Sequence, residues 1–223
     1  MTLALLHTSP RHVPVFDALR DADHQGLELR HFVDEDLLSR ARAEGPEAVQ
    51  DDVRAALERA VALGARVVLC TCSSIGGVAE AAAPAVGVSV LRVDRPMASA
   101  AVAAGPRIVV LATVESTLGP TAALIEEEAR RAGRPVAVRG RLVAGAWQRF
   151  EAGDIEGSLR LVAAAADEEA DADVIVLAQV STASAQHLVT TTIPVLSSPR
   201  LGLAAGAEAM AAGRVSTGRG AGE

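Results

Sequence analysis

Gly64-Ala65-Arg66-Val67-Val68-Leu69-Cys70-Thr71-Cys72-Ser73-Ser74 aligns without a gap to Asp171-Ala172-Asp173-Val174-Ile175-Val176-Leu177-Ala178-Gln179-Val180-Ser181. In each, a Val/Leu-rich run leads into a short polar segment, the pattern of a buried parallel strand ending at a loop. The match extends outward in both directions. Leu3–Thr8 pairs with Ile108–Thr113, each ending in Thr, and Val90-Leu91 pairs with Val195-Leu196. The offset stays at about 105 to 107 residues, so three matches in the same order define an internal repeat. Cys72 and Gln179 fall at equivalent places in it.

Between these strands the apolar spacing turns helical. Val53, Ala56, Leu57, Ala60 and Val61 mark one face of a helix expected over Val49–Leu63, closed by Gly64. Further helices are expected over Val13–Ala22, in the Ala-rich stretch after Gly77, and over Thr121–Ala132, Ser158–Ala170 and Leu201–Ala212. Strands are expected at Leu3–His7, Leu27–Phe32, Arg66–Thr71, Val88–Val93, Arg107–Ala112, Val136–Val138, Val174–Ala178 and Ile193–Leu196. Strand and helix alternate, which calls for parallel sheets with right-handed crossovers. The fold expected is α/β: two pseudo-symmetric αβα halves with mainly parallel sheets and a cleft between them. Residues 1–97 form the first half, completed by the strand and helix of 193–213, and residues 98–192 form the second. A linker is expected near Arg95–Pro106, and a disordered tail over 214–223.

Composition narrows the function. The chain has 223 residues, half of them apolar, with three Phe, one Trp and no Tyr. Its core must be built from Ala, Val and Leu. The formal charge of −7 is a poor footprint for nucleic acid or for an anionic membrane surface. Neither a secretory leader nor a run of about 18 uncharged apolar residues is visible. Cys70 and Cys72 stand too close on one strand for a structural disulfide, and as thiols they fit a reducing cytoplasm. No zinc-ligand cluster, dinucleotide fingerprint or phosphate loop is present, so neither metal nor cofactor is expected. The scarcity of aromatic rings argues against a flavin.

Ligands of open α/β sheets bind beyond the carboxyl ends of the strands. The residues there are Thr8 and Ser9; Cys72, Ser73 and Ser74; Thr113, Ser116 and Thr117; and Gln179, Val180, Ser181 and Thr182. The set is uncharged and rich in hydroxyls, suited with its helix N-termini to a small carboxylate. Among titratable neighbours, His7, Glu115 and His187 lie near strand ends, whereas His24 and His31 read as incidental and Cys70 as core packing. Thr8 and Thr113 are candidate helix N-caps. Trp147 and Phe150, spaced i,i+3 on a possible helix, read as packing or as a lid.

In their order along the chain these motifs resemble the cofactor-independent aspartate/glutamate/hydantoin racemase superfamily. Cys72-Ser73-Ser74 resembles the cysteine followed by small polar residues in that family's first half. Val176-Leu177-Ala178-Gln179 takes the place of its second, Ala-Cys-Thr-like run. Leu111–Thr117 is similar to its Thr-rich loop, and Ile193–Arg200 to its closing strand. The resemblance implies an isomerase acting at the α carbon of a small carboxylate, amino acid or hydantoin-like molecule, with Cys72 as acid/base. The hydroxyls named above, with Gln179 and Val180, would bind the substrate. It also implies a homo-oligomer. Two-base racemisation needs an acid and a base on opposite faces of the carbon, and an amide cannot transfer a proton at neutral pH. With Gln179 in place of the second cysteine, three outcomes follow. Another group supplies the second proton, Cys72 works alone as in one-cysteine decarboxylases or isomerases of the superfamily, or the protein binds a carboxylate without turnover.

Overall fold

The structure, a computed structural model, describes residues 2–218. The chain divides into two compact units, Met1–Val93 with Pro199–Glu223, and Asp94–Ser198. The first contains β1 (Thr2–His7), α1 (Val13–Asp23), β2 (Glu28–Val33), α2 (Asp36–Glu44), α3 (Gln50–Ala62), β3 (Val67–Cys70), α4 (Ser73–Ala81), α5 (Ala83–Val86) and β4 (Ser89–Arg92). The second contains α6 (Arg95–Ala104), β5 (Arg107–Ala112), α7 (Glu115–Ala132), β6 (Ala137–Leu142), α8 (Ala146–Glu151), α9 (Ile155–Asp167), β7 (Val174–Leu177) and β8 (Val195–Ser197). The last helix, α10 (Ser198–Gly218), returns to the first unit. The tail expected over 214–223 falls partly outside the described residues.

Each unit holds a four-stranded parallel sheet, ordered β2-β1-β3-β4 and β6-β5-β7-β8. The repeat read from the sequence is a repeat of register as well. Leu6 lies opposite Cys70 in one sheet, and Leu111 opposite Leu177 in the other. Beyond the last pair the Thr71 N–H donates to the Leu6 carbonyl at 2.9 Å, and its counterpart, the Ala178 N–H, donates to the Leu111 carbonyl at 3.0 Å. The central strands are buried on both faces, which is why they read as unbroken Val/Leu runs. On one face of the first sheet, Ala4, Leu6, Val68 and Cys70 pack with Val53, Leu57 and Ile75.

Four expectations need correcting. Arg95–Pro106 is not a linker: its first ten residues form α6, with Pro96 in the first turn and Met97, Ala98, Ala101 and Val102 buried. An Ala-rich stretch between Pro and Gly looks like a connector, yet Ala is the best helix former and packs closely. Asp36–Glu44 is likewise an unexpected helix, burying only Leu37 and Ala41. Helix α7 begins at Glu115 rather than Thr121, because Pro120 near its start removes only one interior hydrogen bond. Strand β6 runs through Arg139, Gly140 and Arg141. These charges suit an edge strand, where they discourage pairing with foreign strands. They are matched by Glu169, whose buried carboxylate is bonded by Arg139 and, at 3.0 Å, by Arg141. Burial alone would raise its pKa, but the two guanidinium partners outweigh that and hold it below the usual range.

Helix α10 reaches the first sheet through two glycines. A Cβ on Gly202 would stand 2.5 Å from both the Val93 carbonyl oxygen and its Cγ2, and one on Gly206 would stand 2.9 Å from Leu3 Cδ2. Ala normally stabilises a helix by about 1 kcal/mol over Gly. Gly202→Ala should instead destabilise the protein by roughly 1–3 kcal/mol, as overpacking does, because the obstacle is backbone. Urea unfolding measures this, and a stabilised variant would contradict the close approach.

Candidate functional site

The strand-end residues form two clusters, one in each unit. In the first, Ser9 follows β1 and caps a 3-10 turn, its Oγ accepting from the Arg11 N–H at 3.4 Å. Continuing the β1–β3 register past Leu6 and Cys70 sets Thr8 level with Cys72. Cys72 has extended backbone and is the N-cap residue of α4, at the positive end of that helix's dipole. It is 8% exposed, whereas Cys70, the last residue of β3, is wholly buried. The Cys70 Sγ lies 3.7 Å from the Cys72 carbonyl oxygen. Ser73 is buried and Ser74 half-buried on the first turn of α4.

In the second cluster the register sets Thr113 level with Gln179, and here the two side chains join. The Gln179 Oε1 accepts from the Thr113 N–H at 2.7 Å and from the Thr113 hydroxyl at 2.9 Å. A backbone N–H can only donate, so it decides which end of the amide faces it. Nε2 is thereby the end of the amide turned away from Thr113. The Gln179 main-chain carbonyl accepts from the Thr182 N–H at 3.1 Å and from its Oγ1 at 2.9 Å. Val180 and Thr182 are buried, and Ser181 is half-buried, on the 3-10 turn Val180–His187. Thr117 is buried on the first turn of α7, and Ser116 is exposed beside it. Neither Thr8 nor Thr113 is an N-cap: Ser9 caps the 3-10 turn after β1, and Val114 precedes α7.

The titratable candidates separate. Glu115 and His187 are exposed, at the start of α7 and the end of the 3-10 turn. His7 is fully buried on the α1 side of the sheet, against Phe16 at 5.6 Å between ring centroids. Both its ring nitrogens are engaged. Nδ1 lies 2.8 Å from Thr71 Oγ1, and Nε2 lies 2.8 Å from His31 Nδ1. The Thr71 hydroxyl donates to the Leu6 carbonyl at 3.1 Å, so His7 Nδ1 must donate to it and Nε2 must accept from His31. His31 Nε2 in turn lies 3.3 Å from Asp17 Oδ1. His31, which reads as incidental in the sequence, is therefore part of a string that ends beside Cys72. Only the sheet register brings it to His7.

Sequence reasoning also passes over Arg92. It is buried at the end of β4 and crosses Gly76, where a Cβ would meet its Nε at 3.1 Å and its Cβ at 3.2 Å. The Gly76-Gly77 pair was the available signal. Trp147 and Phe150 stack on one another at 5.4 Å. Among the described residues, no group of three or more His, Cys, Asp or Glu is arranged for a metal ion, and no helix is long and apolar enough to cross a membrane.

The fold recurs in known structures. A glutamate racemase from Bacillus anthracis superposes with a TM-score of 0.70 at 14% identity, covering 98% of this chain and 82% of that one. The aspartate racemase of Picrophilus torridus gives 0.65 at 14% identity, covering 94% of each chain. A variant of arylmalonate decarboxylase in a sulfate-associated form gives 0.66 at 20% identity, covering 96% and 94%. No protein-family model matches the chain, and no curated protein matches it in sequence. The class defined is thus one of architecture: two units, each built on a four-stranded parallel sheet, in the fold that the aspartate and glutamate racemase structures share.

Buried His7 sets a pH dependence. Burial, with His12 and His31 nearby, lowers its pKa to about 3 from 6.5. Unfolding frees it to take up a proton, so its contribution is present above pH 6.5 and is lost as pH falls toward 3. Between pH 7 and 5 the native chain should lose about 2 kcal/mol more than a His7→Asn variant, at 1.36 kcal/mol per pKa unit. Urea titrations at the two pH values test this, and parallel losses would refute it.

Proposed function

We propose that the protein is a cofactor-independent enzyme acting at the α carbon of a small carboxylate, amino acid or hydantoin-like substrate, with Cys72 as the group that moves the proton. The observation that carries this reading is the placing of Cys72 at the head of α4, at the repeat position whose twin is Gln179. Removing an α proton requires a positioned base and donors for the enolate-like charge. A thiol at a helix N-terminus suits the first task. Thr8, Ser9, Ser73, Ser74, Thr113, Ser116, Thr117, Gln179, Val180, Ser181 and Thr182 would provide hydroxyl, amide and backbone donors for the second. The fold shared with aspartate and glutamate racemases supports the reaction class, since those proteins are named for chemistry at such a carbon.

The bond from Thr113 to Gln179 favours one-sided chemistry within that class. Gln179 is held through its amide oxygen, which accepts twice from Thr113, and an amide cannot transfer a proton at neutral pH. Cys72 would then deliver or remove a proton on a single face, as a decarboxylase or isomerase of this architecture requires. The arylmalonate decarboxylase variant of the same fold is named for one such reaction.

The test is proton exchange in deuterated water, followed by NMR and chiral analysis, over α-substituted carboxylates, amino acids, hydantoins and aryl-substituted malonates. Exchange or decarboxylation should appear without racemisation. Cys72→Ala should abolish it, and Cys70→Ala should leave most of it. Gln179→Cys, which places a second thiol at the twin position, should add racemisation. Equal loss in both cysteine variants would overturn the assignment, and ligand binding without exchange would favour a carboxylate-binding protein.

A further inference from the structure

The two halves tie their strand ends together in different ways. In the second half the tie is made at the terminal position itself, by Gln179 and Thr113. One residue earlier that half has only Ala112 and Ala178, joined to their neighbours through backbone. In the first half the terminal positions hold Thr8 and Cys72, and the tie is one residue earlier. There the Thr71 hydroxyl donates to the Leu6 carbonyl at 3.1 Å and accepts from His7 Nδ1 at 2.8 Å. The tie made one residue earlier fixes the peptide that carries Cys72.

The tie is costly in its surroundings. His7 and Thr71 are fully or almost fully buried, on the sheet face that also carries Leu3 and Leu5 and that meets Phe16 of α1. Polar groups there are stable only when hydrogen-bonded. His7 is in turn held by His31, and His31 by Asp17, which also pairs with Arg20 at 3.1 Å. The His12 ring packs edge-on to His7 at 6.0 Å. An apolar pair such as the second half's two alanines would serve packing alone.

We infer that His7, acting through Thr71, is a positioning residue for Cys72, and that the His7–His31–Asp17 string exists to hold the end of β3 under that thiol. This rests on the role given to Cys72 above. Its test is alkylation of the full chain by iodoacetamide, with each labelled cysteine assigned by peptide mass spectrometry. No substrate is needed, so a failure here and a failure of the proposed reaction are read separately.

His7→Ala and Thr71→Val should change the Cys72 alkylation rate at least fivefold and shift the pH of half-maximal reaction, while Cys70 stays protected. Thr71→Ser, which keeps the hydroxyl, should restore the native rate to within twofold. A merely structural role would give lower melting temperatures with Cys70 and Cys72 labelled in parallel as the chain opens. That result, or native Cys72 rates in folded Thr71→Val, would overturn the inference. If His7→Ala does not fold, the valine and serine variants at position 71 decide the matter, since valine keeps the shape of threonine.

Discussion

One backbone hydrogen bond, made twice, governs the placing of every strand-end residue. The N–H just beyond the third strand of each half donates to the carbonyl at the penultimate residue of the first strand. It fixes the parallel register at the carboxyl edge, where a slip of one residue would turn each side chain to the opposite face of the sheet. With the register set, Leu6 meets Cys70 and Leu111 meets Leu177. Thr8 and Cys72, and Thr113 and Gln179, then come level by geometry alone. The apolar packing of both sheets upholds this bond, and the polar chemistry at the edge depends on it.

From equal scaffolds the two halves have diverged in what the edge does. In one, an amide oxygen is held by a threonine through two hydrogen bonds. In the other, a thiol heads a helix and the fastening lies one residue earlier. One template thus carries two different side-chain chemistries at its strand ends. Neither alters the strand that supports it, because the difference lies only in side chains at and just before the end.

Much of the architecture is legible in the chain because buried parallel strands leave a plain trace. Val67–Cys70 and Val174–Leu177 are continuous apolar runs, and their equivalence exposes the repeat and the topology. What escapes the sequence is structure whose cause lies elsewhere in the fold. Helix α6 looks like a connector until its alanines are seen buried, and β6 looks polar until Glu169 arrives from the end of α9 to meet its arginines. The candidate site divides in the same way. Its members are found by position after strands, so Cys72, Thr113 and Gln179 could be named. The bond between Thr113 and Gln179, and the pairing of His7 with His31 across β1 and β2, exist only once register is known.

The placing of the last helix has a consequence for how the chain is made. The second unit is one continuous segment, Asp94–Ser198, and is complete when that segment has emerged during synthesis. The first begins earlier but needs α10, which packs against Val93 and Leu3 through Gly202 and Gly206. Its closure joins Leu3 and Val93 to residues that lie beyond the whole second unit, a non-local contact that carries a loop-closure cost. The half bearing Cys72 is therefore begun before the second unit and completed after it, and the part of its sheet that α10 covers stays open until Ser198 and the residues after it have emerged. Apolar surface left open in this way favours aggregation until α10 docks.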